Sequence, residues 1–375
     1  MTTLRVIIDE MVAPVRSGVA RYTEELTREL IRTAPPGCTV EGFVSASPES
    51  DYADIAEKLP GLARLHKSAL ARRELTAAWQ HGFTRLPGAG MVHAPSLLAP
   101  LSKHDRVEDR GTQIVVTMHD AVAWTDPALL PPRTVSWQRA MGKRAQRYAD
   151  AVVAPTHSVA DQLREVLDLG DRVRVIAGAV SSALKTPIDA EARATELRLP
   201  KEYLLAHGSF EQRKGLDALL AAVAHRELGG LPVLLTGIED GARLQQALES
   251  AGVPADRVRP LGHLADPDLA VVLERAAVYV HPSRAEGFGL AVVEAFSLGT
   301  PVVHADDPAL LEVSAGAARV VPLSEDYSDQ LSDAIAAVLG DRELAERLRI
   351  EGRDRAKAFS WRDSAEKVWQ LHADI

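Results

Sequence analysis

The stretch "AAVYVHPSRAEGFGLAVVEAFSLGTPVVHA", residues 276–305, contains a strand pattern, a loop, a helix pattern and a second strand pattern. The apolar runs at its two ends have no polar face, which is typical of parallel strands that helices cover on both sides. Between them we predict a helix from Leu290 to Leu298, because Gly299 follows its last turn and Pro301 prevents its continuation. The stretch therefore predicts one unit of a parallel α/β sheet.

The same alternation extends through all 375 residues. The strand candidates are "LRVII", "TVEGFV", "MVHA", "QIVVTMHD", "DAVVAPT" and "VRVIAG" in the first half, and "YLLAHG", "PVLLTG", "VRPLG", "AAVYVHPS", "PVVHA" and "ARVVPL" in the second. Two such sets predict the α/β class, with two doubly wound, Rossmann-like domains facing a central cleft at the carboxyl ends of their strands.

The predicted boundary lies between Gly178 and Tyr203, where no apolar strand run occurs. We assign residues 1–180 to the first domain and 181–359 to the second, and we expect a helix over about 360–375 to pack back on the first domain.

Composition narrows the function. The net charge of -9 argues against a nucleic-acid binder, which needs a basic face for the phosphates. Cys38 is the only cysteine, which excludes a disulfide framework and any zinc site built on several thiolates. The sequence shows no signal-peptide pattern and no uninterrupted apolar run long enough to span a membrane, so we expect a cytoplasmic protein.

The charge is not uniform along the chain. Residues 62–147 hold thirteen Lys and Arg against six Asp and Glu, and "RLHKSALARRELTAAW" places four cations in about two predicted helical turns. This region is either a solvated helix face or a patch that meets anionic lipid or an anionic acceptor. Peripheral contact with the inner face of the membrane therefore stays open.

Common catalytic motifs are missing: no strand is followed by G-x-G-x-x-G, and G-x-S-x-G, H-E-x-x-H and a complete P-loop do not occur. "GAGMVH", which begins at Gly88, precedes a strand and is interpreted as a turn. The one D-x-D, Asp266-Pro267-Asp268, is interpreted as a helix N-cap with proline at the first helical position rather than a metal-nucleotide site. We predict no metal site and no cofactor.

Two cations stand where a helix begins. In "YLLAHGSFEQRKGLDALLAAV" a strand ends at Gly208 and a helix starts near Gly215, so Arg213 and Lys214 lie at the positive end of its dipole. Cations are disfavoured there by about 0.3–1 kcal/mol each, a cost that an anion bound between them and the helix would offset. The alternative is two solvated charges in a loop.

Two carboxylates flank another helix N-terminus. Glu286 precedes the "GFG" turn and Glu294 lies one turn into an apolar helix, while Phe288, Gly289 and Leu290 supply backbone N–H groups that an anion can approach. A buried carboxylate needs donors, and sugar hydroxyls provide them. A phosphate, a ribose at Glu294 and a second sugar near Glu286 describe a nucleoside diphosphate sugar; pairing of Glu294 with an arginine is the alternative.

A third helix N-terminus occurs in "VRSGVARYTEELTREL", where Ser17 and Gly18 precede the helix. Ser17 is a candidate N-cap, and Gly18 would allow a ligand to approach the backbone. This pattern alone favours a simple cap.

These segments resemble the retaining GT-B glycosyltransferases of family four. "SRAEGFGLAVVEAFSLGTPVV" resembles the family's E-x7-E signature, "GSFEQRKGLDALLAAV" its phosphate segment, "SGVARYTEEL" its N-terminal glycine loop and "VVTMHDAVAWTDP" its central histidine segment. The resemblance runs from about Leu4 to Trp369.

The resemblance implies a role for each matching position. Glu294 would hold the ribose and Glu286 the donor sugar, and Gly18 would approach the phosphates from the first domain. The backbone at Phe288, Gly289 and Leu290 would contact phosphate and sugar. Two further groups complete the implied site: Arg213 and Lys214 on the diphosphate, and His119 beside the donor sugar.

Two positions depart from the family pattern. Ser209 stands where many members carry an arginine, so donor affinity would depend more heavily on Arg213 and Lys214. Ala177 replaces an asparagine that often precedes the glycine in "VRVIAGAVSS". Neither change removes a catalytic group.

The resemblance implies a metal-independent, retaining hexosyltransferase that uses a nucleotide diphosphate sugar, with GDP-mannose as the first choice. The acceptor would be a hydroxyl of a glycan, a lipid-linked molecule or a small molecule. A nucleotide-sugar epimerase of the same architecture and a non-catalytic sugar-nucleotide-binding subunit are the alternatives.

Overall fold

The computed structural model describes residues 2–14, 17–84, 86, 90–104, 111–225 and 228–375. The chain forms two compact units. The first consists of Met1–Gly178 and Ser360–Ile375, and the second of Ala179–Phe359. The second unit is therefore inserted into the sequence of the first. No helix within the described residues is both long and apolar enough to cross a membrane.

The first unit is built on a seven-stranded parallel sheet of order β3-β2-β1-β4-β5-β6-β7. Its strands are β1 Thr2–Ile7, β2 Cys38–Ala46, β3 Arg64–Ala71, β4 Gly90–Ala94, β5 Thr112–Thr117, β6 Ala151–Ala154 and β7 Val173–Val175. Its helices are α1 Gly18–Arg32, α2 Glu49–Lys58, α3 Arg72–His81, α4 Val122–Thr125, α5 Pro132–Tyr148 and α6 His157–Val166, together with α15 Trp361–Asp374 from the end of the sequence.

The second unit contains a six-stranded parallel sheet of order β10-β9-β8-β11-β12-β13. Its strands are β8 Leu204–His207, β9 Val233–Thr236, β10 Val258–Gly262, β11 Val278–His281, β12 Val302–Ala305 and β13 Arg319–Val321. Its helices are α7 Ala190–Glu196, α8 Leu216–Ala224, α9 Gly241–Ala251, α10 Asp266–Arg275, α11 Leu290–Ser297, α12 Pro308–Ser314, α13 Tyr327–Gly340 and α14 Arg342–Ala356.

The prediction of two doubly wound α/β sheets is confirmed, and each of the twelve predicted runs contains a strand. In the second sheet the strand order reverses between β8 and β11, which pair with each other in the middle. Loops at the carboxyl ends of strands that flank such a point form the ligand-binding crevice of open α/β sheets. The loops after β8 and β11 are therefore expected to form the ligand site of this unit.

One element was predicted wrongly. The segment "RLHKSALA" is not part of a cationic helix but forms the edge strand β3, and the helix begins only at Arg72. Lys67 pairs with Glu49, and the guanidinium of Arg72 pairs with Asp9 and with Glu10 (2.7 Å to Glu10). Two of the four cations are thus neutralised by nearby carboxylates.

Helix α15 packs on the first unit through an apolar face that includes Trp361, Val368 and Trp369. The indole N–H of Trp369 donates to the carbonyl of Leu30 in α1 (3.2 Å).

His372, also on α15, lies beside His93 at the end of β4, with ring centroids 5.6 Å apart. Both rings are buried, and among the described residues neither nitrogen of His93 has a hydrogen-bond partner. Burial lowers the pKa of His93 to about 3, and burial together with the neighbouring His93 holds the pKa of His372 well below its usual value. The packing of α15 thus depends on two neutral imidazoles.

Candidate active site

The loop after β8 delivers two cations to the carboxyl end of the sheet. Arg213 and Lys214 lie in a short 3-10 turn, Gln212–Lys214, and Gly215 then adopts a left-handed conformation (φ 67°) before α8 begins. A Cβ atom at Gly215 would lie 2.1 Å from the carbonyl oxygen of Pro282, so only glycine allows this approach. The contact brings the loop after β8 against the loop after β11.

Lys214 and Glu286 meet at this junction. The Lys214 Nζ donates to Glu286 Oε1 (2.5 Å), and the same carboxylate oxygen lies 3.1 Å from Nε2 of His281. The other ring nitrogen of His281 lies 3.3 Å from the hydroxyl of Tyr279. We assign the Tyr279 hydroxyl as donor to Nδ1, which leaves Nε2–H to donate to Glu286.

These neighbours keep Glu286 ionised. Burial alone would raise the pKa of this carboxyl, but Lys214, His281 and Arg213 outweigh it and hold the pKa well below its usual range. The Glu286 side chain is 9% exposed. The site therefore presents a fixed, negatively charged carboxylate over the whole neutral pH range.

Asp307 holds the backbone of the same loop. Its Oδ2 accepts from the backbone N–H of Glu286 (3.2 Å), and its Oδ1 accepts from the N–H groups of Ala309 and Leu310 at the start of α12 (3.0 Å each). Burial, with some repulsion from Glu286, raises the pKa of Asp307 to about 6. Asp307 thus links the position of Glu286 to a helix N-terminus.

Helix α11 begins at Leu290, as predicted, and ends at Ser297, one residue before the predicted end. Gly289 is the N-cap (φ 82°), and a Cβ there would lie 2.5 Å from a methyl group of Leu310. The Phe288 ring is buried edge-on against Phe359, so only its backbone is available to a ligand. Glu294 is buried on α11, 6% exposed, and it contributes to raising the pKa of Tyr279 after the dominant effect of burial.

Arg213 and Ser209 have local partners as well. The Nε of Arg213 donates to Glu211 (2.8 Å), and the Ser209 hydroxyl accepts from the backbone N–H of Glu211 (3.2 Å). The serine hydroxyl keeps its own proton for a further acceptor.

His207, at the end of β8, lies close to Lys214 and Glu286. Its Nδ1 lies 3.2 Å from the Thr236 hydroxyl, and its ring covers Gly237, where a Cβ would come within 2.3 Å of it. Burial, with repulsion from Lys214 and His281, lowers the pKa of His207 to about 4, so the imidazole is neutral at pH 7.

In the first unit, His119 follows β5. Its Nε2 donates to the carbonyl of Pro95 (2.7 Å), and its ring meets Tyr22 of α1 edge-on at 4.8 Å. Burial lowers its pKa, which keeps the ring neutral. Asp120 accepts from the backbone N–H of Val122 and so starts the following turn. The hydrogen bond that orients the His119 ring is the one that it donates to the carbonyl of Pro95.

The N-terminus of α1 is simple. Ser17 is the N-cap, its hydroxyl accepts from the N–H of Ala20 (3.3 Å), and the exposed Gly18 is the first helical residue. The residues just before Ser17, and the turn predicted at Gly88, lie outside the described residues.

The D-x-D segment serves structure. Asp266 is the first residue of α10 and Ala265 is its N-cap, so the predicted cap is displaced by one residue. Asp266 accepts from Ser181 (3.1 Å), and Asp268 pairs with Arg193 (2.8 Å).

The second unit thus brings Arg213, Lys214 and Glu286 together at the carboxyl ends of its central strands, β8 and β11. Glu294 lies on the helix that follows β11. Sequence reasoning missed His281 and Asp307. His281 is the last residue of β11, and Asp307 follows β12 by two residues. A position at the carboxyl end of a parallel strand is the feature of the sequence that could have pointed to them.

Comparisons with known proteins agree with this architecture. Residues 16–183 match the family model described as Glycosyltransferase Family 4, and residues 187–355 match that of Glycosyl transferases group 1. D-inositol 3-phosphate glycosyltransferase 1 of Catenulispora acidiphila is 28% identical over 386 residues, which cover 95% of this chain and 90% of that protein. O-antigen chain mannosyltransferase B of Escherichia coli is 27% identical over 281 residues, 72% and 71% of the two chains.

Solved structures share the fold over the whole chain. Sucrose-phosphate synthase from Thermosynechococcus elongatus superposes with a TM-score of 0.75 at 21% identity, covering 100% of this chain and 99% of that one. HepE from Anabaena, in complex with UDP and glucose, gives a TM-score of 0.73 at 16% identity and covers 100% of both chains. The chain therefore belongs to the family-four glycosyltransferases and has the GT-B fold.

Proposed function

We propose that the protein transfers a hexose from a nucleoside diphosphate sugar to an acceptor hydroxyl, with retention at the anomeric carbon. The observation that carries this proposal is the contact of Lys214 with Glu286 at the reversal point of the second sheet. It sets a cation suited to phosphate beside an ionised carboxylate suited to sugar hydroxyls. The spacing of Glu286 and Glu294, which resembles the family signature, supports it.

Each group has a role in binding. Arg213 and Lys214 hold the diphosphate, with Ser209 as an additional hydrogen-bond donor. Glu294 accepts from the ribose hydroxyls and Glu286 from those of the transferred sugar. The backbone at Phe288, Gly289 and Leu290 contacts phosphate and sugar. We assign Gly18 and His119 to the substrates on the resemblance of their segments alone.

Charge develops on the leaving diphosphate as the reaction proceeds. The bond from the anomeric carbon to the diphosphate oxygen breaks, the acceptor oxygen bonds to the same face of that carbon, and the acceptor proton passes to the departing diphosphate. Preorganised cations and helix N-termini stabilise that charge more in the transition state than in the ground state.

The test of this function is a product assay with and without an acceptor. A transferase converts donor to glycoside only when an acceptor hydroxyl is present, apart from slow hydrolysis. Epimerised donor in the absence of acceptor would indicate the epimerase, and binding without turnover the non-catalytic subunit.

GDP-mannose remains the first choice of donor, and two relatives are named as mannosyltransferases. Calorimetric scans with GDP, UDP, ADP and dTDP identify the base. A nucleotide at 100 times its dissociation constant adds about 2.7 kcal/mol to the free energy of unfolding. The acceptor is proposed to be a glycan, lipid-linked or small-molecule hydroxyl, and the relatives named for inositol 3-phosphate make polyols worth including.

Replacing Lys214 by alanine should separate diphosphate from nucleoside binding. We expect the affinity for the nucleoside diphosphate to fall about 10- to 100-fold, the value of one charge-assisted hydrogen bond. Nucleoside affinity should hardly change. The matched control is Lys201→Ala, an exposed cation in the same unit. Equal losses for both ligands would show that Lys214 does not contact phosphate.

Turnover should continue in EDTA, because Arg213 and Lys214 supply the positive charge that a divalent cation would otherwise bring to the diphosphate. The measurement is the initial rate of transfer with and without chelator. Complete loss of turnover, restored by added Mg²⁺ or Mn²⁺, would contradict the metal-independent mechanism.

We place the protein in the cytoplasm, since a single cysteine suits a reducing compartment. Peripheral contact with the inner face of the membrane, through the basic region 62–147, is part of this proposal.

A further inference from the structure

Helix α5 carries an unusual distribution of charge. Its seventeen residues include five Lys and Arg and no Asp or Glu. Four of these cations, Arg133, Arg139, Lys143 and Arg147, are exposed. In a protein with a net charge of -9, a helix with only positive charge needs a reason.

The four cations share one face. Met141, Gly142 and Ala145 are the buried residues of α5, and at 100° per residue the four exposed cations fall on the opposite side of the helix. Within the part of the chain that the structure describes, no carboxylate pairs with any of the four. The Nε of Arg139 donates to the carbonyl of Ala123, and the guanidinium of Arg147 lies near the Tyr148 ring; neither contact brings a negative charge to the helix.

An exposed aromatic ring flanks this face. Phe83 is 80% exposed and follows Gly82. Gly82 lies against α5, because a Cβ atom added there would be 2.7 Å from the guanidinium of Arg144. Phe83 therefore lies near the C-terminal half of α5. Lys103 is a further exposed cation close to α5 in sequence and space, because Arg144 donates to the carbonyl of Leu101, two residues before Lys103.

The dimensions indicate the partner. From Arg133 to Arg147 the helix rises about 21 Å, which is too long for a single phosphate or a small anionic acceptor. A flat anionic surface can meet all four cations at once, and a phenyl ring beside them suits the boundary between headgroups and acyl chains. The exposed phenyl ring favours a bilayer over a nucleic-acid duplex, because only a bilayer has an apolar layer beneath its charged surface.

We propose that the outer face of α5, with Phe83 at its flank, docks on an anionic lipid bilayer. The docking is electrostatic with one apolar anchor, so it is reversible and weakens with salt. It does not depend on which sugar or acceptor the enzyme uses.

The test is sedimentation of the full-length protein with two kinds of vesicle. One kind contains phosphatidylcholine alone, and the other contains about 40% of the anionic lipid phosphatidylglycerol as well. Wild-type protein should bind the anionic vesicles only. The quadruple variant R133Q/R139Q/K143Q/R147Q should bind them about 100-fold or more less tightly, since each basic side chain near such a surface contributes about a factor of five.

The matched control is K185Q/K201Q/R342Q/K367Q, which removes four exposed cations that lie elsewhere. It should bind anionic vesicles like wild type. Both quadruple variants should keep wild-type affinity for the nucleoside diphosphate, which shows that each is folded. Phe83→Ser should leave binding at low salt largely intact and abolish the part that persists in 0.5 M NaCl, a salt level at which the Debye length is only about 4 Å.

Three results would overturn the proposal: no binding of wild type to anionic vesicles, equal binding of the α5 variant, or equal loss in the scattered control. Binding to a DNA duplex but not to vesicles, abolished by the α5 substitutions, would replace the lipid by a polyanion.

Discussion

Glu286→Gln is expected to lower turnover of the intact donor by about 10- to 100-fold while leaving affinity for the nucleoside diphosphate nearly unchanged. Glutamine keeps the shape of the side chain but removes the charge that Lys214 and His281 fix in place. Because the pKa of Glu286 is held well below its usual range, the loss should be the same at every neutral pH.

Glu294→Gln is the matched variant on the same helix–loop segment. If Glu294 holds the ribose, this change should reduce nucleoside diphosphate affinity by a similar factor. Calorimetry with the free nucleotide on both variants, beside turnover with the intact donor, separates the two carboxylates. Loss of nucleotide affinity in Glu286→Gln but not in Glu294→Gln would reverse the assignment. Wild-type turnover in both would remove the main support for the proposed site.

The first unit is expected to lose stability steeply as the pH falls below about 6.5, the pKa of histidine in an unfolded chain. The folded-state pKa values of His93 and His372 are lowered, so the unfolded chain binds more protons than the folded one across this range. The free energy of unfolding should therefore fall by about 1.4 kcal/mol per pH unit for each histidine. For His93 this loss continues to about pH 3.

Removing the two titrations should flatten this dependence. The double variant His93→Leu/His372→Asn keeps an amide donor in place of His372 Nδ1, which contacts Gln113 (3.1 Å). Its slope should be smaller than that of wild type by about 2.7 kcal/mol per pH unit, whatever its stability at pH 7. The control is His81→Asn, at an exposed position of α3.

Tryptophan fluorescence measures this unit alone. All five tryptophans belong to the first unit: Trp79, Trp124, Trp137, Trp361 and Trp369. Urea unfolding of the full chain at pH 7, 6 and 5 therefore gives the slope directly. An unchanged slope in the double variant would show that this histidine pair does not control the acid sensitivity.

The sequence predicted the strands of both sheets well because most of them are short, mainly apolar runs, a pattern that parallel sheets impose. It failed at β3, an edge strand that pairs only with β2 and carries two exposed cations, Arg64 and Lys67. Charged side chains on an edge strand prevent pairing with other chains, and they also hide the strand from a reading based on hydrophobicity. For this reason the sequence favours a helix over Arg64–Ala71, where the structure has a strand.

The residues of the candidate site also fall into two groups, those that the sequence indicates and those that only the folded structure reveals. Arg213, Lys214 and Glu286 could be chosen because charges at a helix N-terminus or in an apolar segment need an explanation. His281 and Asp307 could not, because their roles depend on contacts that only the folded loops create. A histidine at a strand end and an aspartate before a proline have ordinary structural uses, so neither stands out in the sequence.

The insertion of one unit into the sequence of the other affects the order of folding during translation. Residues 360–375 complete the first unit, but the ribosome makes them only after the 181 residues of Ala179–Phe359. At about 5–20 residues per second, making the inserted unit takes roughly 10–40 s, and throughout this time the surface of α1 that packs against α15 has no partner. The inserted unit is continuous and can fold during this interval. The unit that is started first is therefore finished last, and a premature stop after Phe359 would leave the first unit, not the second, without its final helix.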